Sequence, residues 1–227
     1  MQKIYLILIV LMAFLSACSN LTTEDNVSRL QGVITDSNNN PLINCRLFVS
    51  YYSELQRPET SISFHLSEAG PVKAWVSHHN EDDTVKVLIN DVTGAGNHVA
   101  SWNARNTENK LVASNYYDVH LTSSETNLTK KLFFNNVYVL NEGTYNDFEY
   151  VSQTNSQGFY SIDVNKLACS YADNSYQSFD INGNPEHTYR VSRYIKLYAY
   201  CPGYQAKCID SLYISPGKII KQDLVLN

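Results

Sequence analysis

Alternation of apolar and polar positions dominates this chain. In Ile62-Ser63-Phe64-His65-Leu66 the apolar residues share one side of an extended backbone, as do Val72, Ala74 and Val76, and Tyr117, Val119 and Leu121. Comparable short runs predict strands at 30–35, 45–51, 85–89, 132–140, 148–152, 159–164, 194–200, 209–214 and 219–226. Turn-forming clusters such as SNNNP, EAGP, TENK, NSQG, NGNP and SPGK separate them, and helical periodicity is nearly absent. Many short strands without helical crossovers predict an all-β protein built of sandwiches.

The N-terminus follows another pattern. Lys3 precedes an apolar run over residues 4–15, too short to span a bilayer, and the chain then reads Leu15-Ser16-Ala17-Cys18. A charged start, a short apolar centre and small residues at the end predict a secretory signal peptide over residues 1–17. The Cys after Leu-Ser-Ala resembles the lipobox of bacterial lipoproteins. That resemblance implies that Cys18 becomes the first mature residue and carries the lipid, several acyl chains together giving firm attachment to a membrane. Ser19 stands where that family's inner-membrane retention signal has Asp, which implies the outer membrane and leaves the periplasmic or cell-surface face open. Residues 18–28 then form the lipidated N-terminus and a tether. Removing residues 1–17 leaves 227 − 17 = 210 residues and deletes one Lys, moving the net charge from −5 to −6. With no basic block or stripe, nucleic acid is not an expected partner.

The stretch GAGNHVASWNARN, residues 94–106, sets Trp102 among small and polar residues. The ring is either a ligand platform or a core plug. SISFHLSEAGPVKAWV and AGNHVASWNARNTENKLVASNYYDVHL carry a resemblance over residues 62–134 to the immunoglobulin-like domain of the flagellar hook-capping protein FlgD. Its pattern is Ala-Gly-x-His-x-x-x-Trp, a polar turn, Val-x-Ser-Gly-x-Tyr and an alternating strand. Ala104, Asn109 and Asn115 stand where that family usually has Gly, and Asn is among the residues that best tolerate positive φ. The resemblance implies that Trp102 plugs a sandwich core and that His98, on the same predicted strand, is structural.

The flanks carry a second resemblance. LQGVITDSNNNPLINCRLFVSYY, TNSQGFYSIDV, YIKLYAYCPGYQAKC and SPGKIIKQDLVL resemble successive signatures of the carboxypeptidase regulatory-like domain, a transthyretin-like sandwich. That implies one sandwich from 29–51 plus 136–227, with the immunoglobulin-like sandwich of 52–135 nested in a surface loop. The alternative is two consecutive domains. This family is an accessory domain and transfers no catalytic residues.

Cys45, Cys169, Cys201 and Cys208 remain once Cys18 is lipidated, and none lies between 52 and 135. An even count in an exported chain predicts disulfides with three possible pairings; a bridge using Cys45 would tie early strands to late ones and is favoured because residues on neighbouring strands of one sandwich can meet the required Cα separation. Their spacing matches no zinc motif, so no metal is expected. Neither His-Glu-x-x-His, Gly-x-Ser-x-Gly nor a phosphate-cradling loop occurs, so the chain reads as a non-enzyme without cofactors, an unrecognised hydrolase being the remote alternative. His78-His79-Asn80-Glu81-Asp82-Asp83 reads as a polar hairpin loop, and DINGNPE, residues 180–186, as a turn without the Gly and closing Glu of a calcium loop.

Two features suit recognition. Trp75 lies between Ala74 and Val76 and so points away from the inner face, as a partner hot spot or a lid over the junction of the two domains. Residues 171–194 form a long polar loop dotted with aromatics, of which Tyr176 and Phe179 are the binding candidates. The expected function is binding, adhesion or assembly in the envelope through a protein partner, with glycan binding by the 171–194 loop as the alternative.

Overall fold

The computed structural model describes residues 28–52, 61–179 and 185–227. Its regular elements are almost all strands: β1 Arg29–Asp36, β2 Arg46–Tyr51, β3 Ser61–Leu66, β4 Gly70–His78, β5 Lys86–Thr93, β6 Gly96–Ser101, β7 Asn115–Thr122 and β8 Asn127–Phe134 in the first part. There follow β9 Ser152–Gln153, β10 Phe159–Asp163, β11 Ser175–Phe179, β12 Pro185–Arg190, β13 Tyr194–Tyr200, β14 Lys207–Tyr213, β15 Ile219–Lys221 and β16 Leu224–Leu226. The protein is therefore all-β, with several sheets and, among the described residues, three single-turn 3₁₀ segments. No helix among the described residues is long and apolar enough to cross a membrane.

Strand pairing separates two sets. β1 pairs antiparallel with β10 on one edge and parallel with β15 and β16 on the other, and β2 lies between β13 and β9 in the order β14-β13-β2-β9. Strands from residues 29–51 thus share sheets with strands from 152–226. β3 pairs with β6, and β5-β4-β7-β8 form a four-stranded sheet whose members pair only with one another. Burial divides the same way. One cluster runs from Leu30, Ile34, Leu47 and Val49 to Ile195, Leu197 and Leu226, and a second contains Phe64, Val72, Val76, Trp102, Tyr117 and Leu121.

Close backbone approach fixes several glycines and turns. β15 and β16 meet different halves of β1, so residue 222 must cross over Gly32. A Cβ there would stand 2.0 Å from the Gln222 carbonyl oxygen, and the Asp223 carboxylate accepts the Val33 N–H at 2.8 Å, replacing the missing strand carbonyl. Gly158 has φ +70°, and a Cβ would lie 2.6 Å from the Ile34 carbonyl oxygen. Asp36 accepts the Asn38 and Asn40 N–H groups and closes the β1 turn. Trp102 follows directly after β6, is 2 % exposed, packs edge-on against Tyr117 at 5.1 Å and donates its indole N–H to the Arg105 carbonyl at 2.9 Å. His98 tilts against Phe64 at 5.3 Å. Ala104 and Asn109 adopt φ 56° and 62°, while Asn115 opens β7 without positive φ.

Four sequence expectations require correction. The run at 132–140 is only partly a strand, because β8 ends at Phe134. Beyond it Val137 and Val139 point outward and Tyr138 inward, so the alternation reflects burial against Phe48 and Tyr200 without a ladder. The run at 148–152 yields only the short β9, and its chain bridges instead through Phe148 to Leu111. The run at 219–226 splits into β15 and β16 at the Gly32 crossing. The expected loop at 171–194 contains two strands among its described residues, β11 and β12, which pair antiparallel. Its polar sequence hides the strands because an outlying two-stranded ribbon has little apolar surface to bury.

Candidate functional site

Alternation along β4, β7 and β8 gives the β5-β4-β7-β8 sheet two faces. Val72, Ala74, Val76, Tyr117, Val119, Leu121 and Leu132 fill the core. Lys73, Trp75 and Ser77, with Tyr116, Asp118 and His120 and with Thr129, Lys131 and Phe133, occupy the outer face in register. That outer face is covered at one end and open at the other.

At the covered end, Tyr116 and Phe133 leave their own sheet's core and join the cluster of the other strand set, with ring centroids 5.1 Å apart and Phe133 5.9 Å from Tyr51. Asn135 completes the seam: its side chain accepts the Tyr51 N–H at 2.9 Å and donates to the Tyr51 carbonyl at 2.8 Å, as a paired strand would. Next to them stands His79, 7 % exposed on the loop after β4. Its Nδ1 lies 2.9 Å from both oxygens of the buried Asp118, and its Nε2 lies 3.2 Å from Asp173 Oδ2 at the base of the β11-β12 hairpin. Lys131 Nζ donates to the same Asp173 oxygen at 2.8 Å and to the Asp173 backbone carbonyl at 2.7 Å. The Lys131 ammonium holds the Asp173 carboxyl below its ordinary value, against the opposing effect of partial burial, and His79 adds to the shift. Tyr116 and Tyr171 pack edge-on against the His79 ring. A carboxylate meets each nitrogen of this imidazole, so it has no ring nitrogen facing a substrate position. It acts as a strap between the sheet and the hairpin.

At the open end, the half-buried Trp75 ring lies nearly parallel to His120, centroids 4.8 Å apart and planes at 17°, and Lys73 Nζ sits 4.8 Å from the indole centroid. His120 is itself fixed, with Nε2 2.9 Å from Ser77 Oγ and Nδ1 3.1 Å from Thr129 Oγ1. β5 carries an extra residue opposite the Ala74–Trp75 step, and its Val87 and Val92 are exposed. Beside this group lies an open cleft of about 540 Å³, lined by Pro71, Lys73, Asn90, Asp91, Val92 and Thr122 among others. The result is a rigid aromatic plate with an adjacent cation and an apolar margin. Such a surface suits recognition, and the contacts described for Trp75 are to its own sheet, not to the junction.

His78 Nδ1 and carboxylate oxygens of Glu81 and Asp83 lie within 4.8 Å of one another, a spacing that would admit a cation. The groups already serve each other and their neighbours. The Asp83 carboxylate lies 2.5 Å from His78 Nδ1 and accepts the His78 N–H at 2.9 Å, and Glu81 meets Lys166 Nζ at 2.9 Å. Partial burial raises the Asp83 pKa, but these His78 contacts outweigh it and leave the group below its ordinary value.

Of the other sequence candidates, Cys18 lies outside the described residues. Tyr176 and Phe179 fall on β11, opposite Tyr189 and Pro185. Cys45, Cys169 and Cys201 are buried and Cys208 is exposed, and all four are thiols in this structure. The fold brings Cys45 and Cys201 together and leaves Cys169 on a 3₁₀ turn and Cys208 on β14. Sequence reasoning missed the His79–Asp118–Asp173–Lys131 strap and the His120 support of Trp75. Parity along β7 already placed Asp118 and His120 opposite the core face, but no local signal joins His79 to residues 39 and 94 positions away. Comparison with protein-family models, with curated proteins and with solved structures finds no match.

Proposed function

We propose that this chain is a non-catalytic, lipid-anchored protein of the bacterial outer membrane that works as a binding or assembly module, its contact surface being the open half of the β5-β4-β7-β8 outer face and its occupant a protein of the envelope. One observation carries the reading: Trp75 is stacked on His120 with Lys73 beside it yet stays partly exposed, whereas Tyr116, on the same face, is buried at the seam. A preformed aromatic plate loses little conformational freedom on binding, which is how hot-spot residues gain their effect.

In this reading residues 52–135 are an immunoglobulin-like sandwich of the flagellar hook-capping type, inserted into a carboxypeptidase regulatory-like sandwich formed by 29–51 and 136–227. The two-set strand pairing supports it, as do the backbone demands on Gly32, Gly158, Ala104 and Asn109, which lie within the quoted motifs or at their usual glycine positions. Cys18 carries the lipid.

The test is crosslinking in intact cells followed by affinity capture and identification of the attached molecule. Trp75→Ala lowers capture of the attached protein at least about tenfold, the scale of a hot-spot loss, with the melting temperature unchanged. Undiminished capture by that variant overturns the proposed surface. Recovery of a polysaccharide whose retention is lost in Tyr176→Ala or Phe179→Ala replaces the protein partner by a glycan. Absence of radiolabelled fatty acid on the chain, or its retention after Cys18→Ala, overturns the anchor.

A further inference from the structure

The register between β2 and β13 continues one step past both strands. Leu47 lies opposite Ala199 and Arg46 opposite Tyr200, so the next facing pair is Cys45 and Cys201. The backbone of Cys45 is turned the other way: its N–H donates to Thr154 Oγ1 and its carbonyl accepts the Thr154 N–H, both at 2.9 Å. Leu47 likewise offers its carbonyl to Val151 at 2.8 Å. Towards β13, therefore, Cys45 and Cys201 occupy a non-hydrogen-bonded antiparallel position. Such pairs stand roughly 4.5 Å apart at Cα with side chains close, inside the range a disulfide spans. Both side chains belong to the same buried cluster, at 0 % and 6 % exposure. The two thiols are near enough to influence one another, and the Cys201 thiol reaches the Ile43 carbonyl at 3.6 Å.

We propose that Cys45 and Cys201 form a disulfide in the oxidised protein, clamping the start of β2 to the end of β13, while Cys169 and Cys208 remain thiols. The bond closes a loop over 201 − 45 = 156 residues of separation and contains the whole of β3 to β8 within it. Two Sγ–H bonds break and one Sγ–Sγ bond forms. The oxidant's own S–S bond breaks in the same exchange through a mixed disulfide, and the two protons and two electrons pass to its sulfurs, which leave as two thiols. Burial, followed by the neighbouring thiol, pushes Cys45 up to about 12. In the folded chain Cys45 is thus a poor thiolate, and exchange through it belongs to the stage before β2 and β13 close.

The test uses the full chain, denatured and refolded in a buffer of oxidised and reduced glutathione, then alkylated in denaturant without reduction, digested and weighed. The expected product is one peptide pair joined through Cys45 and Cys201, with Cys169 and Cys208 alkylated. Reduction lowers the melting temperature by roughly 5–15 °C, the range for one disulfide in a protein of this size. The Cys169→Ala, Cys208→Ala double variant keeps both the linked pair and the reduction-dependent shift, so the result does not depend on a variant that lacks the pair folding. Alkylation of Cys45 and Cys201 after refolding, or a link from either to Cys169 or Cys208, overturns the proposal.

Discussion

Ala104 shows how a single backbone angle reverses the meaning of a mutation. At φ 56° its Cβ crowds the following carbonyl, a conformation that costs an L-residue roughly 1–2 kcal/mol. The same methyl is buried against the Trp102 cluster, which returns about 0.8 kcal/mol, and glycine would add about 0.5–1 kcal/mol of chain entropy to be lost on folding. The opposing effects nearly cancel, so Ala104→Gly leaves stability within about 1 kcal/mol of the parent. Ala74, fully buried on β4 with ordinary strand geometry, has no strain to release, and Ala74→Gly costs about 1.5 kcal/mol. Urea unfolding of the two variants side by side checks the contrast, and equal losses would remove the strain argument. Residue identity alone left this turn ambiguous, since Ala104 stands at a usual glycine position. The fold resolves it because the Val112 N–H donates to the Ala104 carbonyl at 3.0 Å and Trp102 reaches the Arg105 carbonyl, and together they hold the turn closed.

Among the elements, the β11-β12 hairpin has a base tied to the neighbouring sheet by polar contacts. Described contacts at its base include Asp173 to Lys131 and His79, and the Asn174 carbonyl accepting the Val191 N–H. Asp173 is depressed in the folded state relative to 3.8, so its contribution is complete above that value and disappears as pH falls through the lower folded value. Its side chain is more than half exposed, so water and salt screen the pair and the effect on global stability is small. The sensitive measurement is local: amide exchange of β11 and β12 accelerates as pH drops below about 4 relative to β13, after correction for intrinsic rates. Asp173→Asn shows the faster exchange already at neutral pH and loses the acid dependence; unchanged exchange in that variant would dissociate the hairpin from the strap. Strands with an apolar face were legible in the sequence, β13 to the residue. This hairpin was not, because its sequence lacks a clear apolar alternation and nothing local signals the ion pairs of Asp173 at its base. The candidate site was half legible for a related reason: parity placed Trp75 outward, but its plate needs His120, which arrives from β7 by strand pairing.

At the scale of the whole molecule, one pair of adjacent residues links the two cores. Tyr116 and Tyr117 are both fully buried, yet strand alternation sends them to opposite sides of β7. Tyr117 packs against Trp102 within its own sheet set, with its hydroxyl donating to the Ala113 carbonyl at 2.7 Å. Tyr116 enters the core that β1, β2, β10 and β13 build, beside Phe133 and Tyr51. The segment that carries β3 to β8 therefore contributes to the core of the other strand set, and the bridge between Leu111 and Phe148 adds a backbone link, so the two sets are energetically coupled. Truncating either ring to Ala removes a fully buried aromatic side chain and costs about 3–5 kcal/mol. The distribution of the damage distinguishes them. Tyr117→Ala speeds amide exchange first in β3 to β8, whereas Tyr116→Ala speeds it in β2 and β13, strands far away in sequence, as much as in β7 itself. Exchange measured peptide by peptide resolves the two patterns. Confinement of the Tyr116→Ala effect to β4, β7 and β8 would mean that the core of β1, β2, β10 and β13 closes without this ring, and the two strand sets would then fold independently.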